Sequence, residues 1–416
     1  MRFRIHRGAT VIGGNCIEVQ SSGKSLLLDL GLPLEAGRPD QSLLPPVAGL
    51  VDGDSPDLLG VLISHPHSDH YGLLEVVHPS VPVYIGDGAR RLLEVASAFT
   101  TGRNFAQPIT TYRNRGSFNI GPFRVTPYLM DHSAFDAYAL LIEADGQRLL
   151  YSGDFRAHGR KAWAFDAFLA DPPASVDVLL MEGTVLGRED SPAPMTEDQV
   201  EADIASSIAD TSGIVLACFS AQNIDRLVTF YRATQRSGRQ FIADAYTANI
   251  LDALGKSSLP SPLSPSSRMK VYLPKRQRAR IIRQKRFDLV EPYRRHRVFA
   301  SDIGATCDQW VMMFRSSMIE DAEAIGELAG GKVIWSLWPG YLDREKPDLR
   351  AWANAQGMSF EIHHTSGHAH VSDLRRFVDR VGASKLVPIH TMQPYRYSEL
   401  FPNVRPSPDG EWSEIG

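Results

Sequence analysis

A chain of 416 residues with 43% hydrophobic and 22% charged residues has the composition of a globular protein, and its length predicts two domains. No apolar run approaches the roughly eighteen residues of a transmembrane helix, and the N-terminal residues lack the apolar segment of a signal peptide, so we expect a cytoplasmic protein. Three widely spaced cysteines argue against a disulfide framework, and a net charge of −4 does not by itself indicate a nucleic-acid partner.

The first part of the chain is predicted to form short strands, at residues 2–6, 15–20, 25–30 and Leu58–Ile63, followed by a helix at 71–77. Asp29 lies near the end of the third strand. A buried acidic residue in such a place is costly unless it is hydrogen-bonded or lies near a metal. A structural turn is the alternative explanation for this residue.

The hexapeptide between the fourth strand and this helix is the strongest chemical signal in the sequence. It reads His65-Pro66-His67-Ser68-Asp69-His70. Because proline lacks a backbone donor and disfavours a helical residue before it, the motif is predicted to be a loop. Such a loop can curl three imidazoles and a carboxylate around one point, and these ligands suit Zn²⁺ or a similar borderline metal. The alternative is a surface turn of satisfied polar residues.

Three further polar residues follow predicted strands in the same way. A hairpin at 118–129 precedes His132, a strand at 148–151 precedes Asp154, and a strand at 176–181 precedes Glu182. Other elements are predicted at 81–85 (strand), Asp87–Phe99 (helix) and 137–143 (strand). Gly153 would let the backbone at Asp154 approach a metal closely.

The segment from about 195 to 350 alternates predicted helices (Glu197–Ala209 and 223–235) with strands (213–217, Gln240–Asp244 and 331–337). This rhythm predicts a small parallel sheet with helices on its faces. Residues 254–267 are rich in Ser and Pro and are predicted to form a flexible surface segment.

Residues 269–297 carry eleven Lys and Arg residues against Asp288 and Glu291. Such a run is often only a solvated helix face. The functional alternative is an electrostatic track for phosphates, with aromatic residues that stack on bases. The arginines assigned to this track are Arg276, Arg278, Arg280 and Arg283, and the aromatic residues are Tyr272, Phe287 and Tyr293.

The last part of the chain contains a histidine cluster, His363-His364-Thr365-Ser366-Gly367-His368, and then a predicted helix at Val371–Val381. The predicted strand Lys385–Ile389 follows and ends in His390.

Taken together, these motifs resemble a known family. His65-x-His67-x-Asp69-His70 is similar to the signature of the metallo-β-lactamase superfamily, an αββα sandwich with a binuclear metal site at one edge. The insertion before the last ligand, with HTSGHA and PIH after it, resembles the β-CASP branch of nucleic-acid nucleases, which includes ribonuclease J and the polyadenylation endonuclease. Residues 218–226 are also similar to a stretch of ribonuclease J. The resemblance implies an α/β sandwich (residues 1–190 and 351–416) with an inserted β-CASP domain (191–350).

The resemblance also implies the roles of the site residues. One metal would be held by His65, His67 and His132, the second by Asp69, His70 and His390, with Asp154 bridging them and Asp29 bracing the histidine loop. The implied cofactor is two Zn²⁺, with Mn²⁺ as the alternative. Glu182, His368 and His390 match the branch's motifs A, B and C. Asp69, His368 and Glu182 are the expected catalytic residues, with His368 as general acid or charge stabiliser, and His364 and Ser366 would bind a neighbouring phosphate.

The net charge of such a site favours an anionic substrate. Two divalent ions, two carboxylates, five neutral imidazoles and a hydroxide sum to about +1. Histidine at motif C is typical of RNA-acting members, so the expected function is an endo- or 5′-exoribonuclease that acts on single-stranded RNA. The alternatives are a small-molecule hydrolase such as a cyclic-nucleotide phosphodiesterase or lactonase, a DNA nuclease, and a catalytically silent RNA-binding subunit. The sequence does not determine the oligomeric state.

Overall fold

The computed structural model describes residues 1–100, 105–188, 192–265 and 267–416. Its strands are β1 (Arg2–Arg7), β2 (Cys16–Ser21), β3 (Lys24–Leu28), β4 (Leu58–Ile63), β5 (Val83–Gly86), β6 (Ile109–Tyr112), β7 (Phe118–Ile120), β8 (Phe123–Met130), β9 (Ala137–Ala144), β10 (Gln147–Tyr151), β11 (Val178–Glu182), β12 (Val215–Cys218), β13 (Gln240–Asp244), β14 (Met269–Tyr272), β15 (Trp310–Phe314), β16 (Lys332–Trp335), β17 (Ser359–Ile362), β18 (Lys385–Ile389) and β19 (Trp412–Glu414).

The α-helices are α1 (Ser68–Tyr71), α2 (Asp87–Phe99), α3 (Ala162–Ala170), α4 (Glu197–Ala209), α5 (Ile224–Arg236), α6 (Ala245–Leu254), α7 (Lys275–Gln284), α8 (Ala300–Gly304), α9 (Ile319–Glu323), α10 (Pro339–Leu342), α11 (Leu349–Ala355), α12 (Val371–Val381) and α13 (Tyr397–Leu400). Across the described ranges, none of these helices has the length and apolar character needed to span a membrane.

The chain divides into two compact units. The first is built from the described residues of Met1–Leu93, Gly102–Ala193 and Gly367–Gly416, and the second from those of Glu94–Thr101 and Pro194–Ser366. The first unit is therefore discontinuous in sequence.

Two sheets form the centre of the first unit. The seven-stranded sheet has the order β19-β1-β2-β3-β4-β5-β6, and the six-stranded sheet has the order β18-β11-β10-β9-β8-β7. Side chains alternate between the faces of a strand. Leu26 and Leu28 of β3 accordingly lie in the core shared with Leu140 of the other sheet, whereas Leu27 lies in a separate cluster with Leu92 of α2.

The outer face of the six-stranded sheet is covered by α3 and α12. Phe168 of α3 and Phe377 of α12 stack with ring centroids 4.9 Å apart, and both belong to the same cluster as Leu150 and Leu179 of the sheet. The order of layers is thus helix, sheet, sheet, helix, which confirms the predicted αββα sandwich.

The second unit contains a six-stranded sheet in the order β14-β13-β15-β12-β16-β17. All five pairings are parallel, as the alternation of helices and strands predicted. The Ser- and Pro-rich segment predicted at 254–267 follows α6 and passes through successive turns toward β14, with Ser266 outside the described residues.

The helix predicted at 71–77 is wrong. The helical turn α1 begins inside the metal motif, at Ser68, and ends at Tyr71, and only a short 3₁₀ turn (Leu74–Val76) follows. The carbonyl of His70, which would accept from Leu74 in a continuous helix, instead accepts from the backbone N–H of Leu30 at 2.8 Å. A tertiary backbone contact therefore ends the helix and fixes the two residues of the motif that α1 carries.

Candidate metal centre

The predicted ligands meet at one edge of the first unit, in the loops that follow β4, β8, β10 and β18. The structure gathers them into two clusters in which the ligand atoms all lie within 4.8 Å of one another. The first cluster is His65, His67 and His132, and the second is Asp69, His70, Asp154 and His390. All seven residues that the sequence proposed as ligands are thus brought together.

Close backbone approach holds the ligand loops in place. The backbone N–H of Asn15 donates to the carbonyl of Asp69 at 3.1 Å, and a Cβ on Gly31 would overlap that same carbonyl. Gly153 adopts φ 54°, and a Cβ there would press on the carbonyl of Tyr138. Glycine is required at both positions because a larger residue would displace the loops that carry Asp69 and Asp154.

Asp29 hydrogen-bonds to residues of the histidine loop and of β10. Its carboxylate accepts hydrogen bonds from the Ser64 N–H (2.6 Å), the Ser64 hydroxyl (2.7 Å), His70 Nδ1 (2.7 Å) and the Tyr151 hydroxyl (2.6 Å). The residue is fully buried and adopts φ 57°. The bond to Nδ1 leaves His70 Nε2 directed at the cluster, which is the orientation a metal ligand needs.

We expect Asp29→Asn to lower the affinity for divalent metal by about 10–100-fold, because the amide cannot hold His70 in one tautomer. Asparagine tolerates positive φ, so the backbone should be preserved. Asp145→Asn is a matched control, since Asp145 also has positive φ (54°) and accepts from Ser21 at 2.6 Å outside the ligand clusters. Competition with a chromophoric chelator measures both variants, and equal affinities would contradict the bracing role.

The donor atoms of the clusters fit a divalent metal ion. Several imidazoles have one nitrogen fixed by a hydrogen bond: His65 Nδ1 with Ser64 (3.0 Å), His132 Nδ1 with the Gly367 carbonyl (2.6 Å) and His390 Nδ1 with Thr184 (2.9 Å). Among the described residues, four buried cluster atoms lack a hydrogen-bond partner: His65 Nε2, His70 Nε2, Asp154 Oδ1 and His390 Nε2. Buried polar atoms are rarely left without a hydrogen bond, and imidazole nitrogens and a carboxylate oxygen can instead bind a metal cation.

The protonation states of the first cluster suit metal binding. Burial lowers the pKa of His65 and His132 well below the usual range and that of His67 to about 4. All three are therefore neutral at pH 7, and neutral imidazole is the form that binds metal. Burial opposes charge on Asp154, but His390 and His70 outweigh it and hold its pKa well below the usual range.

Glu182 and His368 form an adjoining pair. Glu182, at the end of β11, accepts from His368 Nδ1 at 3.1 Å and from the backbone N–H of Phe155 at 3.0 Å. Burial alone would lower the pKa of His368, but Glu182 and then Asp154 outweigh it and raise the pKa to about 9. Nδ1 of His368 lies 3.8 Å from Asp154 Oδ2. A cationic imidazole thus stands beside the clusters.

The remaining predicted residues lie in the second unit. His364 and Ser366 follow β17. On α7, Arg276, Arg278 and Arg283 are exposed, whereas Arg280 is half-buried and donates to the Phe99 carbonyl at 2.8 Å.

The predicted stacking role of Tyr272 and Tyr293 is wrong, because both side chains are buried. Tyr272 ends β14, and its hydroxyl donates to Asp321 at 3.1 Å. Phe287 is 55% exposed.

Sequence reasoning missed the residues that support the ligands. The hydroxyls of Ser64 and Thr184 hydrogen-bond to the candidate ligands His65 and His390, and the hydroxyl of Tyr151 donates to Asp29. The only sequence signal was their position, since each lies within a few residues of a motif residue.

The first comparison with known proteins concerns the N-terminal half of the chain. A sequence model of the β-lactamase superfamily domain matches residues 29–212, a range that includes every candidate ligand except His390. This part of the chain is thus similar to the β-lactamase superfamily domain. A crystal structure of a protein of unknown function from Enterococcus faecalis V583 has a fold similar to that of this chain, with a TM-score of 0.78 and 20% identity over 99% of both chains.

Three curated relatives are similar to parts of this chain. Ribonuclease J of Sinorhizobium meliloti is 29% identical over 207 residues (48% of this chain and 36% of that protein). Cleavage and polyadenylation specificity factor 73 of Drosophila melanogaster is 27% identical over 197 residues (42% and 27%). The RNase J-like protein of Methanocaldococcus jannaschii is 24% identical over 261 residues (59% and 58%). The chain spans less than two thirds of the length of each.

Proposed function

We propose that this protein is a metal-dependent ribonuclease that hydrolyses phosphodiester bonds of single-stranded RNA. The observation that carries the proposal is the pair of ligand clusters with the Glu182–His368 pair beside them. Relatives named ribonuclease J support RNA as the substrate. We further propose that the second unit is the β-CASP domain.

The cofactor we propose is a pair of divalent ions, Zn²⁺ or Mn²⁺. His65, His67 and His132 would hold one ion, Asp69, His70 and His390 the other, and Asp154 would be shared. When bound, such ions supply a hydroxide nucleophile at neutral pH and neutralise charge on the phosphodiester. The protein's own part is to orient the imidazoles through Asp29, Ser64 and Thr184.

His368 is the proposed general acid. An alkoxide leaving group needs a proton, and a protonated imidazole beside the clusters can donate it. Glu182 accepts from Nδ1 and so leaves Nε2–H as the donor toward substrate. In the second unit, His364 and Ser366 are proposed to bind a neighbouring phosphate through imidazole and hydroxyl groups.

The basic helix α7 is proposed to add electrostatic affinity for RNA. Replacing Arg276, Arg278 and Arg283 together by alanine should weaken RNA binding and flatten its salt dependence, because each lost phosphate contact reduces the log–log slope by about 0.7 for a single strand. The side chains are exposed, so folding should be unaffected. Fluorescence anisotropy over a salt series measures the slope.

The matched control for this prediction removes three exposed arginines elsewhere, Arg38, Arg124 and Arg375. Equal slopes for the two triple variants would mean that α7 is only a solvated helix face.

The experiment that tests the function is a denaturing-gel time course of purified protein with Zn²⁺ or Mn²⁺. The substrates are one 3′-labelled single-stranded RNA with a 5′-monophosphate or 5′-hydroxyl, and the same sequence as DNA. Degradation of RNA alone supports the proposal, and preference for the monophosphate would indicate 5′-end sensing. Degradation of DNA as well would favour the DNA-nuclease alternative. Survival of both nucleic acids in a metal-loaded protein would overturn the proposal in favour of a small-molecule hydrolase.

A further inference from the structure

An exposed aromatic pair lies just beyond the end of β16 in the second unit. Trp338 and Tyr341 are each 47% exposed, with ring centroids 5.3 Å apart and ring planes at 86°. Large aromatic side chains are normally buried, so exposed rings held in contact are a feature of binding surfaces.

The local backbone fixes this pair. The N–H of Tyr341 donates to the carbonyl of Trp338 at 3.0 Å, which closes the turn of α10. The indole lies over Gly340, where a Cβ would overlap the ring. Glycine thus lets the backbone cover one side of the indole, and a ring that is already positioned loses little conformational entropy when it binds a ligand.

A buried ion pair anchors the segment that carries the rings. Arg226 is fully buried and donates to the Ser336 carbonyl at 2.9 Å and to the Ser336 hydroxyl at 2.5 Å. It also donates to Glu197 at 3.0 and 3.2 Å. Since Ser336 directly follows β16, the position of the aromatic pair is tied to the core of the second unit.

The aromatic pair emerges beside the segment that contains His364 and Ser366. β16 and β17 are parallel neighbours, with Trp335 opposite Ile362, so the residues that follow them leave the same edge of the sheet. Neighbouring strands are about 4.8 Å apart. The Ser336 hydroxyl also donates to the His363 carbonyl, which connects the two segments directly. Ligands of parallel α/β sheets bind at this carboxyl edge.

We propose that Trp338, supported by Tyr341, stacks on a nucleobase of single-stranded RNA whose adjacent phosphate lies at His364 and Ser366. The inference rests on the proposed ribonuclease function and names the feature of the substrate that this edge recognises. Stacking requires an unpaired base, because the faces of bases in a duplex are already covered. It tolerates any sequence, since every base has an aromatic face. The site therefore selects single strands over duplexes without selecting a sequence.

The test is equilibrium binding of a short fluorescein-labelled single-stranded RNA with a cleavage-resistant backbone to the metal-loaded protein, so that the RNA stays intact. Trp338→Ala should weaken binding roughly 5- to 150-fold, the fold-change that corresponds to loss of one stacked base. The affinity of Trp338→Phe for the RNA should lie between that of the wild-type protein and that of Trp338→Ala, because a smaller ring still stacks. Trp163→Ala is the matched control, since Trp163 of α3 is 61% exposed and lies in the first unit. Thermal unfolding of each variant verifies its fold.

A scan with abasic nucleotides identifies the contact directly. In the wild-type protein one abasic position should weaken binding, and Trp338→Ala should be insensitive to that position. Binding of Trp338→Ala equal to that of Trp163→Ala, or unchanged abasic sensitivity, overturns the stacking proposal. The binding measurement does not depend on catalysis. If the protein cleaves RNA but either of these results is obtained, the ribonuclease proposal stands and only the stacking proposal is wrong. If the expected abasic pattern is found but the protein cleaves no RNA, the stacking proposal stands and the ribonuclease proposal is wrong.

Discussion

Asp154→Ala is expected to lose bound metal and phosphodiester hydrolysis together. Asp154 is buried between the clusters, with Oδ2 3.2 Å from His70 Nε2 and Oδ1 3.4 Å from His390 Nδ1. Its removal leaves the second cluster with one carboxylate, Asp69. We expect kcat to fall by at least about 10³-fold, since metal ions contribute several kcal/mol to such reactions. Metal analysis of the purified variant and RNA hydrolysis are measured on the same sample.

Two further variants keep this prediction interpretable. Asp154→Asn preserves the shape of the side chain while removing its charge, so a folded but metal-poor protein would still identify Asp154 as a ligand. Asp171→Ala removes a largely exposed carboxylate that pairs with Arg115 in the same unit, and it should retain metal and activity. Full metal content and full activity in Asp154→Ala would exclude it from the site.

His368→Ala should keep its metal and lose turnover. A general acid contributes about 10²- to 10⁴-fold, and we expect kcat on RNA to fall within that range. The loss should be much smaller on bis(4-nitrophenyl) phosphate, because the departing 4-nitrophenolate needs no proton. His370→Ala is the control, since His370 lies two residues away, outside the ligand clusters. Equal losses on both substrates would assign His368 a merely structural role.

The pH profile tests the same assignment. The general acid must be protonated, so kcat should fall as the pH rises through the pKa of His368, which is raised to about 9. Glu182→Gln removes the charge that raises it, and the alkaline limb of the profile should therefore move to lower pH. If the alkaline limb does not move in Glu182→Gln, Glu182 does not control the pKa of the general acid.

The sequence predicted the candidate site best where the chemically important residues are close together in the chain. His65, His67, Asp69 and His70 lie within one hexapeptide, so their residue types alone indicated a metal site. His132, Asp154 and His390 are single polar residues after strands, and only resemblance to a family distinguished them from ordinary turns. The αββα layers were implied by the same resemblance, whereas the local pattern of side chains predicted only the individual strands and helices.

The failures arose where distant contacts decide. The backbone N–H of Leu30 takes the carbonyl that a longer helix would have used, and nothing near Tyr71 in sequence reveals this. In the sequence, Tyr272 lies in a basic run and has the residue type of a stacking residue. In the structure it ends β14, where its side chain is buried and donates to Asp321. The strand β15 (Trp310–Phe314) lies between β13 and β12 in the sheet and was not predicted.

The proposed metal ligands come from distant parts of the sequence, so metal binding depends on folding of the first unit. The first ligand follows β4, whereas the last follows β18, which pairs with β11 only after the second unit has been traversed. An unfolded chain cannot assemble this set, so metal should bind the folded first unit in preference. By mass action, free metal at 100 times its dissociation constant would add about 2.7 kcal/mol to the free energy of unfolding. The ions would then stabilise the folded state by joining the C-terminal segment to the rest of the first unit, and their concentration would affect the fraction of the protein that is folded.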